Sequence, residues 1–262
     1  MARQHLVTIA DHRPVTARLR WLALQAGDLA RDVRPGNYLL LRCDDPGDGY
    51  RLLRRPLFIA ATMPELGQVA LLYEAHEPGL AWLARRSVGE TLDAFGVFGR
   101  PLSLDSRLHN LLLVGAGAGL AALIFAARVA ASHAAVTLLA VASDPDGLPP
   151  SFLLPGATEY LTGTGADLAA SVTAMLQPAA GVSPLAWADA LVAALPPDAL
   201  TVLSQVVRTV RFRWSRGFAL ALIDIPPGCG VGACGVCAVE LRGAACLPCV
   251  EGPWFDLRDI ER

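Results

Sequence analysis

Five of the six cysteines fall in "CGVGACGVCAVELRGAACLPC", residues 229–249. Thiolates this dense point to metal or redox chemistry rather than disulfides in a chain whose first residues, "MARQHLVTIADHRP", lack the apolar core of a leader. Two spacings overlap. Cys229, Cys234 and Cys237 form C-x4-C-x2-C, the run that joins a distant fourth cysteine around a plant-type [2Fe–2S] cluster. Cys234/Cys237 and Cys246/Cys249 form two C-x2-C pairs, which suit a tetrahedral zinc site. Glycines at 228, 230, 232 and 235 favour the iron–sulfur reading, because they let a loop curl and aim amides at sulfur. The zinc reading leaves Cys229 and its glycines without a purpose. Cys43, alone at a strand end, reads as inert packing.

Two further motifs carry chemistry. "VGAGAG" sets Gly115, Gly117 and Gly119 between an apolar strand and a helix start, where backbone can approach a pyrophosphate and a helix terminus favours anions. The spacing is G-x-G-x-G, and a tight turn without a ligand is the plainer alternative. In "LLRRPLFIA", Arg54 and Arg55 interrupt an apolar strand. A charge there needs solvent or a partner, and a ligand phosphate is one such partner.

The elements around these motifs divide the chain. Residues 1–100 read as short strands, "HLVTIAD", "VTARLRWLAL", "NYLLLRC", "RPLFIAAT" and "QVALLYEA". They are separated by the turn residues of "PGN", "DDPGDG" and "MPELG", with "GLAWLARR" as a short helix. This spacing implies an antiparallel barrel or sandwich. From about residue 101 the pattern changes to strand, glycine turn, helix ("NLLLVGAGAGLAALIFAARVAAS"), then a second buried strand, "AVTLLAVAS". "ADLAASVTAMLQ" and "WADALVAAL" read as helices, while "PDALTVLSQVV" and "GFALALIDI" are ambiguous. Alternating strands and helices imply a parallel sheet. The last 35 or so residues are a Cys/Gly loop region that needs a metal staple to fold. The expected fold is therefore multi-domain α/β and β: an antiparallel β-barrel (1–100), an α/β nucleotide-binding domain (101–222) and a small [2Fe–2S] domain (223–262).

Composition excludes several classes. Hydrophobic residues make up 53% of the 262, so disorder is excluded, and a net charge of −2 carries no nucleic-acid or membrane signal. All 22 basic residues are arginines. Residues 111–127 are apolar enough to suggest a membrane span, but the alternating glycines argue for strand, turn and buried helix instead. The expected compartment is the cytoplasm. His5, His12, His76, His109 and His133 are scattered, and His76 is read as structural or surface. Arg208, Arg211, Arg213 and Arg216 read as a solvated face, with a docking or phosphate surface as the alternative.

Taken in order, these parts resemble the ferredoxin-reductase-like electron-transfer subunits of bacterial dihydroorotate dehydrogenase over nearly the whole chain. The likeness is strongest in "GCGVGACGVCAVEL" and "CVEGPWFD". It implies Cys249, not Cys246, as the fourth ligand beside Cys229, Cys234 and Cys237. It implies FAD held by Arg55, Pro56 and Leu57, with Phe58 standing where a Ser or Thr normally faces the flavin N5. "EPGLAW" keeps Gly79 of a Gly-x-Gly-Thr stretch near the pyrophosphate, with Leu80 in place of Thr. "FGVFGRPL" resembles the segment that closes the barrel. "GAGAGLAAL" resembles the nicotinamide-nucleotide loop, with Ala122 replacing proline. No Cys-Gly-Pro motif is found where the nicotinamide lies; "LAWADALVAAL" occupies that region. The implied cofactors are FAD, a [2Fe–2S] cluster and NAD. The implied partner is a separate catalytic dihydroorotate dehydrogenase subunit in a hetero-oligomer, a heterotetramer. A related reductase serving a hydrogenase or ferredoxin-type acceptor, and a non-redox zinc protein, are the alternatives.

Overall fold

The computed structural model describes residues 3–45, 53–105 and 107–260. Six strands close an antiparallel barrel: β1 (Arg3–Pro14), β2 (Leu19–Gln25), β3 (Tyr38–Leu41), β4 (Arg55–Met63), β5 (Gln68–Glu74) and β6 (Thr91–Phe98). Around the barrel they run β1-β2-β5-β4-β3-β6. Two short helices, α1 (Leu29–Asp32) and α2 (Pro78–Leu83), sit between strands. The segment expected to close the barrel, residues 95–102, supplies the end of β6. Most of the turn expected from "DDPGDG" lies outside the described residues.

Several barrel strands are apolar on both faces, for a reason the period of two makes plain. In β2, Leu22 and Leu24 point into the barrel while Trp21 and Ala23 point out. In β3, Leu39 and Leu41 point in while Tyr38 and Leu40 point out. In β4, Leu57 and Ile59 point in, and Phe58 and Ala60 point out. The outward set packs on the α/β layer and the cysteine loop, so neither face meets much water.

That layer is a six-stranded sheet in the order β14 (Trp254–Asp256), β11 (Ala219–Leu222), β10 (Ala190–Ala194), β7 (Asn110–Gly115), β8 (Ala135–Ala142), β9 (Glu159–Thr164). β7, β8, β9, β10 and β11 are parallel. α3 (Leu120–Ala130) covers one face and also packs on β4 and β5 of the barrel. Buried between sheet and barrel, α3 explains the long apolar run; no helix among the described residues is long and apolar enough to cross a membrane. α4 (Leu168–Leu176), α5 (Pro184–Trp187) and α6 (Pro197–Val210) cover the other face.

Three readings are corrected or resolved here. "WADALVAAL" is not a helix: its centre is β10, flanked by β7 and β11. A fully buried strand has a continuous apolar run that periodicity cannot tell from helix. "PDALTVLSQVV" becomes α6, and "GFALALIDI" contributes β11. β9, an edge strand reading "EYLTGT", was not expected from the sequence. After the cysteine loop come β12 (Val239–Leu241), β13 (Ala244–Cys246), α7 (Pro248–Glu251), β14 (Trp254–Asp256) and α8 (Leu257–Ile260). β14 pairs antiparallel with β11, so the C-terminal segment is stitched into the central sheet.

Candidate metal centre and cofactor cavity

The cysteine loop is organised around sulfur. The Cys229 Sγ accepts from the amides of Val231 (3.4 Å), Ala233 (3.2 Å) and Cys234 (3.4 Å). Burial opposes its ionisation, but these amides and the Cys234 side chain outweigh burial and bring the thiol down to about 7. Cys237 and Cys249 are both buried, with sulfurs 3.2 Å apart. Burial and the neighbouring Cys237 push Cys249 up to about 11. The thiols therefore gather two by two, Cys229 with Cys234 and Cys237 with Cys249. Among the described residues no three His, Cys, Asp or Glu side chains converge as a single ion requires. Pairs of thiols are how four cysteines hold the two metal atoms of a [2Fe–2S] cluster. Cys246 lies on β13 opposite Val239, where burial and the charges of Glu251 and Asp259 raise its thiol.

The walls suit a cluster as well. Gly230, at φ +72°, presses on the barrel so closely that a Cβ would stand 2.9 Å from Leu40 Cδ1 and from Phe98 Cζ. Only glycine allows that approach. Tyr38 is fully buried in the same apolar group as Cys237 and Cys249, and its hydroxyl has no hydrogen-bond partner among the described residues.

Beside the loop lies a cavity of about 550 Å³ between barrel and α/β layer, a size ordinary for a cofactor site. Arg55, Pro56, Leu57 and Phe58 of β4 form one wall, and Gly117 and Ala118 the opposite lip. Asp224 to Pro227 complete it and lead straight into Gly228 and Cys229. The three glycines of the nucleotide loop differ in position. Gly117 opens on the cavity, whereas Gly115 packs on Leu123, and a Cβ on Gly119 would stand 2.5 Å from that of Ala194. β10 ends at Ala194 and is followed by Leu195 and Pro196.

The arginine strand is paired internally, neither to solvent nor to an exposed edge. Arg54 makes a fork on Asp93 (2.9 and 2.6 Å). Arg55 donates to Glu77 through Nε (3.1 Å) and Nη2 (3.0 Å). Glu77 also accepts from the amides of Gly79 (2.8 Å) and Leu80 (2.6 Å). Burial works against its charge, and these donors overcome burial to hold Glu77 below the usual carboxylate range. A Cβ on Gly79 would stand 2.5 Å from Arg55 Nε, so a side chain there would push the guanidinium off its place.

Tyr38, Glu77, Asp93 and Asp224 were not singled out from the sequence. Glu77 had a legible signal: an acidic residue before Pro78 is a helix cap. Asp224 shares the cavity with His76, and burial raises its carboxyl, partly offset by His76. The basic run breaks up: Arg211 binds the carbonyls of Leu185 and Ala188 and stacks on Phe218, and Arg216 pairs with Asp259. Cys43 is fully buried.

A barrel against a nucleotide-type layer, with a four-thiol loop beside the cavity they share, defines an oxidoreductase of the electron-transfer class. Residues 228–261 match the family described as the iron-sulfur cluster binding domain of dihydroorotate dehydrogenase B. The "Dihydroorotate dehydrogenase B (NAD(+)), electron transfer subunit" of Shouchella clausii is 30% identical over 98% of both chains. The protein so named from Geobacillus thermodenitrificans is 28% identical over 99% of both. The chain belongs to this family of electron transfer subunits. Among solved structures, an NADH-dependent reduced ferredoxin-NADP oxidoreductase superposes with a TM-score of 0.78 at 21% identity, over 97% of this chain and 89% of that one. The siderophore-interacting protein SipS from Aeromonas hydrophila has the same barrel and layer, with a TM-score of 0.62 at 17% identity, over 83% and 89% of the two chains.

Proposed function

We propose that this chain passes electrons between NAD(H) and a separate catalytic dihydroorotate dehydrogenase subunit in the cytoplasm, the two kinds of chain assembling as a heterotetramer. The observation that carries the reading is the shared wall: residues 224–227 line the cavity and run directly into the first cysteine of the loop. A flavin supplies the exchange of paired electrons for single ones that links a nicotinamide to an iron–sulfur cluster. The protein's own part is to hold and orient. Cys229, Cys234, Cys237 and Cys249 are the ligands of a [2Fe–2S] cluster, and the amides on Cys229 favour its thiolate. Pro56 and Phe58, on the outward face of β4 either side of Leu57, present an apolar wall to the flavin of FAD, while Arg55 and Gly79 lie on its phosphate side. Gly115, Gly117 and Gly119 shape the turn that NAD approaches, with Gly117 at the cavity. The working parts are residues 1–100, 101–222 and 223–262.

Anaerobic purification followed by iron and flavin analysis tests this. About two irons per chain and bound flavin are expected, and colourless protein with one zinc overturns the reading. Cys249→Ser is expected to lose the cluster and Cys246→Ser to keep it; the reverse pattern exchanges the fourth ligand.

A further inference from the structure

The Tyr38 hydroxyl is a buried polar group without a partner. Tyr38 has no exposed surface, its Oη meets no donor or acceptor among the described residues, and burying a hydroxyl unpaired carries its full desolvation cost. A Phe would fill the same space at no such cost, so the hydroxyl calls for an acceptor that the protein itself does not provide.

The surroundings say where that acceptor lies. Tyr38 begins β3 on its outward face, directly opposite Phe58 of β4 in the strand register. Its ring meets Phe58 edge-on (centroids 5.6 Å apart) and stacks on Phe98 (5.7 Å). Phe58 lines the cavity, and Phe98 is the ring on which Gly230 of the cysteine loop presses. Tyr38 also shares one buried group with Cys237 and Cys249. A phenol O–H is a hydrogen-bond donor, and burial, then Cys249, Cys237 and Cys229, raise its pKa further. Three amides, of Val231, Ala233 and Cys234, donate to Cys229, whereas Cys249 receives the Gly232 amide and the Cys237 thiol.

We propose that Tyr38 donates a hydrogen bond to the sulfur of the [2Fe–2S] centre on its Cys237–Cys249 side, and that this bond sets the centre's reduction potential. The inference rests on the cluster reading above. Hydrogen bonds to sulfur are one of the levers by which a protein sets such potentials. Reduction adds one negative charge to the centre, so a donor aimed at its sulfur favours the reduced form. Tyr38 is a positioning and tuning residue, and it joins the wall of the cofactor cavity to the centre through two ring contacts.

The test is Tyr38→Phe in the full, cluster-loaded protein. Iron content is measured first, then the cluster's midpoint potential by a redox titration followed by electron paramagnetic resonance. The expected result is two irons per chain, as in the parent, with the reduction equilibrium shifted roughly tenfold toward the oxidised form, about 59 mV lower for one electron. An unchanged potential with full iron overturns the proposal. So does loss of iron in Tyr38→Phe, which makes the hydroxyl a structural requirement rather than a tuning donor. Phe98→Leu, which keeps the hydroxyl but removes the stacked ring, is the control for packing. A shift equal to that of Tyr38→Phe assigns the effect to the ring contacts and also overturns the proposal. Absence of iron from the parent protein is a different outcome, because it fails the cluster reading itself.

Discussion

The Glu77 carboxylate faces three donors, the Arg55 guanidinium and the amides of Gly79 and Leu80, from which a phosphate oxygen could equally accept. A flavin carrying phosphates in the neighbouring cavity has to share Arg55 with Glu77 or displace it, and like charges repel at that range. Glu77→Gln keeps an oxygen for the amides and removes the charge. Affinity for FAD is therefore expected to rise about tenfold, the scale of one charge-assisted hydrogen bond, while affinity for riboflavin, which has no phosphate, stays level. Flavin fluorescence titrations on the reconstituted protein read both numbers; an equal change for the two flavins defeats the argument. At this scale the sequence was uneven. The cysteines declared themselves by type and spacing. Tyr38 and Glu77 did not, because what matters at each is a group far along the chain: Tyr38 is 199 residues from Cys237 and Glu77 is 22 from Arg55.

Among the elements, the strand–turn–helix from β7 to α3 was readable because its glycines and apolar run are contiguous in sequence. Its close fit to β10 is not legible, since β10 begins 60 residues after α3 ends and its apolar run reads as a helix. The contact explains Gly119. Its missing side chain lets the turn sit on Ala194, where the Ala116 amide bonds the Ala194 carbonyl (2.8 Å). Gly119→Ala is expected to cost about 1–3 kcal/mol in urea unfolding, the usual price of overpacking. Ala194→Gly in the same chain removes the opposing methyl and is expected to recover most of that loss, a coupling that a double-mutant cycle isolates. Additive losses would mean that the two residues do not press on each other. Five of the six barrel strands were legible, helped by the turn residues of "PGN", "DDPGDG" and "MPELG" between several of them; β6 carried no such signal.

At the scale of the molecule, barrel and sheet are joined at the cavity's edge by polar contacts that no local pattern announces. Arg18, in the turn before β2, pairs with Glu74 of β5 (2.6 Å) and with Asp144 just after β8; its guanidinium also reaches the Ser143 hydroxyl. Thr16 donates to the Asp146 carbonyl (2.5 Å). Arg18 and Glu74 both line the cavity, so the same contacts that hold the two halves together border the space where a cofactor fits. The Arg18 and Asp144 side chains are 37% and 44% exposed, and ion pairs so wet contribute about 0–1 kcal/mol. The apolar contact of α3 with β4 and β5 holds the halves far more strongly. Arg18→Met is therefore expected to leave overall stability within about 1 kcal/mol. Its effect is expected locally, as faster amide exchange in residues 143–147 and 16–19, measured by hydrogen–deuterium exchange at low salt. Raising the salt concentration to about 1 M, where screening acts within about 3 Å, is expected to speed exchange in the parent protein toward that of the variant. Exchange that is unchanged by both substitution and salt would show that packing alone fixes the two halves and that the Arg18 pairs are incidental.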